Sequence, residues 1–376
     1  MRSRLAVGYL LPRILLVTLM IDGGLRFLPT RLFTFRPEMR YRLPGEAYER
    51  NAHTVNAVAY GDLAGLGNLR DFRQYRPDTM TTDGWGFRNL PYPGPFCAIL
   101  IGDSFAIGGV GVGDRETLSA RLQELWDCGV YNAAGATDPA LQAPHAQRVA
   151  SMARRLGLGK GLVLAEFVER LPTPTIPPLP PASADDESSP PPLARRLMTL
   201  GMGWASFSPG KILAQRVGSR LENDTVLPNR HARRVPRATL RDGHWMLFFD
   251  EEMETYTPER RVSAEYWIWL RRQLAEVDLE LLVVLVPNKY TVYHDLLRDE
   301  PPQAVEPGES LTRLTAQLRD AGVPVVNVTS VLRAGAASAV AEGIHLYFQD
   351  DTHWNAHGID VAARAVARAW REVLGP

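Results

Sequence analysis

Two short polar segments stand about 250 residues apart in the chain, and together they contain the side chains of an activated serine nucleophile. The first segment reads GDSF at residues 102–105 and places Ser104 at the end of an apolar run. The second reads DDTHWN at residues 350–355 and contains His353. A serine hydroxyl is a weak nucleophile near neutral pH until a base takes its proton, and a histidine oriented by a carboxylate is a common base. The two segments therefore predict a Ser-His-Asp site.

The two segments can meet only if the fold brings them to one edge of a sheet. Short apolar runs alternate with helical periodicity, and the predicted strands cover 96–101, 130–131, 161–167, 280–286 and 323–328. The predicted helices cover 117–126, 140–156, 258–277, 311–321 and 356–373. This alternation predicts an α/β fold, a three-layer α/β/α sandwich with a mainly parallel five-stranded sheet.

Both segments fall at the carboxyl ends of the predicted strands. Ser104 follows the first strand, and His353 lies between the fifth strand and the last helix. Open α/β sheets bind ligands at this edge. A lone GDS sequence would equally suit a serine that caps a loop, so the agreement between the two segments is what favours a catalytic site.

GDSF followed by DTHWN resembles the SGNH (GDSL-like) hydrolase superfamily. The resemblance covers roughly residues 80–170 and 256–376, and DGWGFRN at 83–89 resembles the GFRN lead-in found upstream of such a GDSF. It implies an SGNH or flavodoxin-like sandwich. In the superfamily a glycine of the second block contributes an amide to the oxyanion hole, and Gly135 is similar in position.

The third block of the superfamily departs from its usual form in this chain. That block normally supplies an asparagine, whereas residues 166–170 read EFVER. This segment, the DTHW form of the last block and VPNK at 286–289 resemble the alginate O-acetyltransferase-like branch. In the alginate enzymes the Asp-His block precedes the serine, whereas here it follows, so the resemblance is to related proteins of that type.

The resemblance implies a two-step acyl transfer. Ser104 would attack an acyl donor while His353 takes its proton, and Asp351 would orient His353. The amides of Ser104 and Gly135 would stabilise the oxyanion. Asp350 stays open as an alternative orienting residue, because the usual D-x-x-H spacing favours it, and together with Arg170 as a candidate substrate-binding residue.

The implied substrates are a polysaccharide acceptor and an acyl donor, with a membrane-bound acyltransferase as a candidate supplier of the donor. Arg170 has three interpretations: it replaces the missing asparagine, it binds the acceptor, or it forms a structural salt bridge. Two alternative functions stay open, an esterase for carbohydrates or small molecules and a catalytically silent polysaccharide-binding module. No cofactor is expected.

The net charge and two further motifs argue against other classes of function. A formal net charge of zero argues against a whole-chain nucleic-acid binder. GGVGVG at 108–113 fits no phosphate-loop motif, and we interpret its glycines as giving close access beside Ser104. His353 and His357 have the spacing of a helical metal pair but lack the glutamate of HExxH, so no metal site is predicted.

The two cysteines, Cys97 and Cys128, can form one disulfide at most. Cys97 lies in an apolar run and is interpreted as a small buried hydrophobic residue.

Two apolar runs at 5–12 and 14–21, separated by Arg13, predict an N-terminal membrane anchor or signal-like helix. The arginines that follow favour retention in the cytoplasm. The family resemblance instead implies a periplasmic catalytic domain anchored in the inner membrane. The predicted divisions are an anchor at 1–30, a lead-in at 31–95, a first SGNH part at 96–170, a Pro-rich and basic insertion at 171–255 and a second SGNH part at 256–376.

Overall fold

A five-stranded parallel sheet forms the centre of the protein. The computed structural model describes residues 2–28, 48, 50–134, 146–176, 208–223, 232–253, 262–299 and 306–374. The sheet strands are β3 (Phe96–Ile101), β4 (Gly129–Asn132), β5 (Gly161–Val168), β8 (Leu279–Val286) and β9 (Val325–Asn327). Their order across the sheet is β4-β3-β5-β8-β9, and all four pairings are parallel. The predicted strands and the α/β fold class are confirmed.

The order of the strands has a functional consequence. Numbered along the chain within the sheet, the order is 2-1-3-4-5, which is the flavodoxin-like arrangement. The direction of winding reverses between β3 and β5, and ligands bind such sheets outside the carboxyl ends of the strands at this point. Ser104 directly follows β3 and therefore lies at this position.

Helices cover both faces of the sheet. The helices along the main domain are α3 (Ser104–Ile107), α4 (Leu118–Trp126), α5 (Ala146–Arg155), α8 (Glu265–Ala275), α9 (Lys289–Tyr293), α10 (Glu309–Asp320), α11 (Thr329–Ala339) and α12 (Ala356–Leu374). One apolar cluster packs α4, α11 and α12 against the sheet, and a second packs α5, α8 and α10 against the opposite face. β5 and β8 are buried on both faces, so their sequences are mostly apolar and do not alternate, with Glu166 and Glu280 as the two charged residues.

Two small antiparallel pairs flank the carboxyl edge. In the lead-in, β1 (His53–Ala59) pairs with β2 (Arg76–Thr81), and α2 (Asp62–Leu66) lies between them. Farther along, β6 (Arg237–Thr239) pairs with β7 (Trp245–Leu247). The remaining short helix here is α7 (Asp250–Met253).

Part of the predicted insertion packs onto the main domain. Leu240 bridges to Leu297, and the N–H of Leu247 donates to the carbonyl of Gln349 at 2.9 Å. The Pro-rich stretch from residue 177 onward and Gly135 lie outside the described residues. The division of the chain into segments stays a prediction.

Cys97 and Cys128 form a disulfide. The interpretation of Cys97 as a free buried hydrophobic residue is therefore wrong. Its neighbour Phe96 pairs with Gly129, so the two cysteines lie at the start of adjacent parallel strands with Cα atoms 5.9 Å apart. Cys97 is only partly buried, and the apolar run gave no information on which strands are neighbours.

The N-terminal segment is helical, as α1 (Arg2–Leu25), and it contacts α6 (Pro209–Asn223). Asp22 accepts hydrogen bonds from the Ser208 hydroxyl at 2.6 Å and from the Gly210 N–H at 2.9 Å. Among the helices in the part of the chain that the structure describes, none combines the length and apolar character needed to cross a membrane.

Candidate active site

The turn from β3 into α3 places Ser104 at the carboxyl edge of the sheet. Asp103 caps the helix, since its carboxylate accepts the N–H of Phe105 at 2.8 Å. A side chain at Gly102 would place its Cβ 2.5 Å from Glu166 Oε2, so this position requires glycine. Ser104 is half-buried and opens the helix, where the first N–H groups lack acceptors within the helix itself. Its hydroxyl and its amide thus both lie at the start of the helix, at the carboxyl edge of the sheet.

The structure brings Ser104, His353 and Asp351 together. His353 Nε2 lies 2.7 Å from Ser104 Oγ, and His353 Nδ1 lies 2.6 Å from Asp351 Oδ1. A carboxylate can only accept, so Nδ1 must carry the proton and Nε2 is left to accept the serine hydroxyl. This is the tautomer that a histidine base needs.

The carboxylate of Asp351 is held in place by backbone donors. Its Oδ1 also accepts the N–H of His353 at 3.0 Å, and its Oδ2 accepts the N–H of Asp62 at 2.8 Å. Asp351 is fully buried. These bonds stabilise the ionised carboxylate and leave it little freedom to turn away from the imidazole.

Asp350 has a different set of contacts. Its carboxylate accepts the N–H groups of Gly61 and Gln74 at 2.8 and 2.9 Å and pairs with Arg76 Nη1 at 2.7 Å. The geometry therefore gives the contact with His353 to Asp351, and Asp350 ties the lead-in to the loop that contains His353.

The surroundings of His353 favour its protonated form. Burial by itself lowers the pKa of His353, but the charge of Asp351 and their hydrogen bond outweigh it, so the pKa lies above its usual value. Asp62 Oδ2, 3.7 Å from His353 Nδ1, acts in the same direction. A more basic imidazole is a stronger acceptor of the serine proton.

A buried ammonium holds the loop that carries His353. Lys289 Nζ donates to the carbonyls of Phe348, Gln349 and Asp351 at 2.7, 3.0 and 2.9 Å. Burial lowers the pKa of Lys289 to about 8, and nearby carboxylates such as Glu252 oppose this shift. Because this pKa is still above 7, the side chain is mainly protonated at neutral pH. The lysine of the VPNK segment therefore has a structural role, since it holds the loop between α11 and α12 in place.

Arg170 forms an ion pair with Glu252 and lies near Ser104 and His353. Its Nη1 is 3.3 Å from Glu252 Oε1, and its guanidinium lies 5.0 Å from the ring centroid of Phe105. Burial raises the pKa of Glu252 to about 7, which Arg170 partly opposes. The salt bridge is present in the structure. A role for Arg170 in substrate binding stays a prediction.

Glu166 occupies the region of the missing asparagine. Its Oε2 accepts the N–H of Asp103 at 3.0 Å. Burial, together with the charge of Asp103, raises the pKa of Glu166 well above its usual value. The hydrogen bond from the N–H of Asp103 to Glu166 supports the turn that carries Ser104.

The lead-in contributes residues that the sequence did not predict. Asp62 accepts both the N–H and the hydroxyl of Thr352, at 2.7 and 2.6 Å. Arg76 joins Asp350 and also reaches the carbonyl of Val110 at 2.9 Å. These contacts join residues more than 30 and up to 290 positions apart, and no local pattern of residues indicates them.

Three other residues of the predicted motifs, Arg88, Gly109 and Trp354, have structural roles. Arg88 of the GFRN segment is buried and donates to four backbone carbonyls, those of Thr79, Ile107, Gly108 and Val112. A side chain at Gly109 would place its Cβ 2.6 Å from His353 Cβ, so the glycine-rich loop does allow close approach to the site. Trp354 is fully buried and donates its ring N–H to the carbonyl of Phe105.

Comparisons with known proteins find similarity to parts of this chain. Residues 242–376 match the family described as "SGNH hydrolase-like domain, acetyltransferase AlgX". A probable alginate O-acetylase, AlgJ of Pseudomonas putida, is 30% identical over 137 residues, which are 36% of this chain and 34% of that protein. This chain thus spans about a third of the length of that relative. The crystal structure of the Bacillus subtilis protein YxiM has a TM-score of 0.35 at 11% identity, over 79% of this chain and 65% of that one.

Proposed function

We propose that the protein is a serine-dependent O-acyltransferase, because residues 242–376 match the SGNH hydrolase-like acetyltransferase family and 137 residues are 30% identical to a probable alginate O-acetylase. Its substrate would be a polysaccharide outside the cytoplasm, and the group transferred would be acetyl. The observation that carries the proposal is the chain of contacts from Ser104 Oγ to His353 Nε2 at 2.7 Å and from His353 Nδ1 to Asp351 at 2.6 Å. The family match includes His353 and Asp351 but not Ser104, so the role of Ser104 rests on these contacts.

In the first half-reaction, His353 Nε2 accepts the proton of Ser104 Oγ as this oxygen attacks the carbonyl carbon of the acyl donor. The negative charge on the carbonyl oxygen is stabilised by the N–H of Ser104 at the start of α3, where backbone donors and the helix dipole favour an anion. The intermediate then collapses. The donor's alkoxide leaves with the proton held by His353, and an acyl group remains on Ser104.

In the second half-reaction, a sugar hydroxyl takes the place of the leaving group. His353 accepts the hydroxyl proton, the sugar oxygen attacks the acyl carbon, and the bond to Ser104 Oγ breaks with return of the proton to the serine. Water in the same position would make the protein an esterase. Arg170 is proposed to orient the acceptor, because its side chain lies beside Phe105 near the catalytic pair and is 17% exposed.

The disulfide supports the proposed site of action. Disulfides persist in oxidising compartments such as the periplasm and are rare in the cytoplasm. Cys97 and Cys128 are the only two cysteines of the chain, and they are paired. Reporter fusions at the C-terminus test the location: export gives an active periplasmic phosphatase fusion, whereas an active cytoplasmic fluorescent fusion alone would contradict it.

The proposed chemistry is tested by trapping the acyl-enzyme. The purified full chain is incubated with p-nitrophenyl acetate and then analysed by intact-protein and peptide mass spectrometry. We expect one acetyl group on Ser104, which Ser104→Ala abolishes and the matched exposed control Ser338→Ala retains. A folded wild-type protein without an adduct on Ser104 would instead favour the silent binding module.

A second measurement separates transferase from esterase. Acetylated enzyme is mixed with neutral or uronic oligosaccharides, and both acetylated sugar and free acetate are quantified. Faster loss of the adduct with sugar, accompanied by ester on the sugar, supports the transferase. Release of acetate at a rate independent of sugar supports the esterase.

A further inference from the structure

A second cluster of ionisable side chains lies apart from the catalytic residues. Asp242 and His244 belong to the turn between β6 and β7, and His345 lies eight residues before His353. The three side chains each offer a ligand atom, and these atoms all lie within 4.8 Å of one another. One carboxylate and two imidazoles are a common donor set for zinc and similar divalent ions.

The spacing of the donor atoms suits a single ion. His244 Nδ1 is 3.2 Å from Asp242 Oδ2, and His345 Nε2 is 3.8 Å from the same oxygen. Ligand atoms about 2.0–2.1 Å from a tetrahedral zinc are about 3.3 Å from one another. The observed distances lie near this value, so an ion could enter with small side-chain movements.

His345 presents a buried ligand atom to the cluster. Its side chain is only 10% exposed, and its Nε2 is buried without a hydrogen-bond partner among the described residues. A buried ring nitrogen without a partner is unfavourable, because it has lost its contact with water.

We propose that Asp242, His244 and His345 bind one divalent transition-metal ion of the zinc type, with water as the remaining ligand. The ion would fasten the β6–β7 turn to the segment that leads into the catalytic loop. That segment is already joined to the loop's far end, since the carbonyl of His345 accepts Asn355 Nδ2 at 2.7 Å and Tyr347 bridges to Trp354. Metal binding at this cluster would therefore stabilise the base of the loop that carries His353.

The sequence does not reveal such a site, because His345 is about 100 residues from the other two ligands. The described residues contain one other group with metal-ligand spacing, made of Asp62, Asp351 and His353, and it coincides with the active site. A test must therefore distinguish the two places, and it must not depend on catalytic activity.

The full-length chain is purified, freed of metal with a chelator and titrated with zinc. Bound zinc is measured after dialysis by elemental analysis, and the unfolding midpoint is followed by circular dichroism. We expect one zinc per chain and a rise in the unfolding midpoint. His345→Gln and His244→Ala should each weaken binding by more than about 10-fold and remove the rise, whereas His357→Ala should change neither.

His353→Ala separates the proposed site from the active site, because it should retain the zinc and the rise in midpoint. His244 is half-exposed, so its replacement leaves the core intact even if His345→Gln perturbs folding. The proposal is overturned if the wild-type chain retains no zinc. It is also overturned if the His345 and His244 variants bind zinc like the wild type, or if only His353→Ala loses it.

Discussion

Ser104 and His353, the proposed catalytic pair, are positioned in different ways. Ser104 follows β3, which is paired on both sides by β4 and β5 and continues directly into a capped helix. His353 lies in a loop between α11 and α12 that contributes no strand to the five-stranded sheet. The loop contains one isolated bridge, between Tyr347 and Trp354, and one backbone hydrogen bond joins it to β7, from the N–H of Leu247 to the carbonyl of Gln349. The serine is thus placed by regular backbone pairing, and the histidine by individual polar contacts.

The difference has a physical reason. A loop buried beneath a site carries backbone carbonyls and N–H groups that regular structure does not satisfy, so side chains must satisfy them. Lys289 supplies three hydrogen bonds to these carbonyls, and Asp62 accepts from both the backbone and the side chain of Thr352. Each of these contacts comes from one residue of another element. Single substitutions should therefore disturb the histidine side more than the serine side.

The largest effect on the histidine side is expected at Asp351. Asp351→Asn removes the charge that stabilises the imidazolium and can favour the wrong tautomer of His353, so turnover of p-nitrophenyl acetate should fall by about 10³- to 10⁴-fold. Asp350→Asn should lower turnover far less but destabilise the fold, because Asp350 is a buried partner of Arg76. Steady-state kinetics and chemical denaturation distinguish the two. A larger loss of turnover for Asp350→Asn would transfer the orienting role to that residue.

The second effect concerns the ammonium beneath the loop. Lys289→Met removes a charged donor from three carbonyls, of which that of Gln349 keeps the N–H of Leu247. This loss should cost about 2–4 kcal/mol of unfolding free energy. If the loop shifts as a result and moves His353 by about 1 Å, turnover should fall by about 100-fold. The exposed lysine variant Lys160→Met is the matched control and should behave like the wild type. Full activity in a Lys289→Met protein would show that the loop holds its shape without this contact.

The contrast between strand and loop also describes what the sequence could predict. The five strands and their helices were predictable because apolar runs and helical periodicity are local signals, and Ser104 follows from the end of a strand. The contacts of Lys289 with residues 348–351 were not predictable, because one lysine bonding to carbonyls about 60 positions away leaves no periodic trace. The same holds for Asp62 and Arg76. The pairing of Cys97 with Cys128 required the order of strands in the sheet, which local patterns do not contain.

The third effect is the dependence of turnover on pH. His353 must be neutral to accept a proton, and its pKa lies above the usual value of 6.5. Turnover should therefore fall about tenfold per pH unit below that raised pKa. Asp62→Asn removes a nearby negative charge and should move the midpoint to lower pH. A pH–rate profile that is unchanged in Asp62→Asn would show that this carboxylate does not act on the imidazole.

The stability of the His353–Asp351 pair should have the opposite pH dependence. Because the folded pKa of His353 is raised, the pair stabilises the fold fully below about pH 6.5, and this contribution is lost as pH rises through the folded pKa. Comparing the unfolding free energy of the wild type with that of Asp351→Asn across this range measures the contribution. A difference that grows with rising pH would contradict the sign.

The smallest effect on turnover is expected when the disulfide between Cys97 and Cys128 is removed. The disulfide joins the start of β3 to the residue before β4, at the amino ends of the strands and thus at the edge opposite Ser104. Replacing Cys97 and Cys128 together by alanine should lower the unfolding free energy by about 3–4 kcal/mol, because the unfolded chain regains the freedom of a 31-residue separation. Turnover of the folded variant should stay within about twofold of the wild type, since the pairing of β3 with β5 still places Ser104. Denaturation and kinetics on the same preparation test both parts. A strong loss of turnover in the folded double variant would show that sheet pairing alone does not position the serine, and the contrast between the two halves of the site would fail.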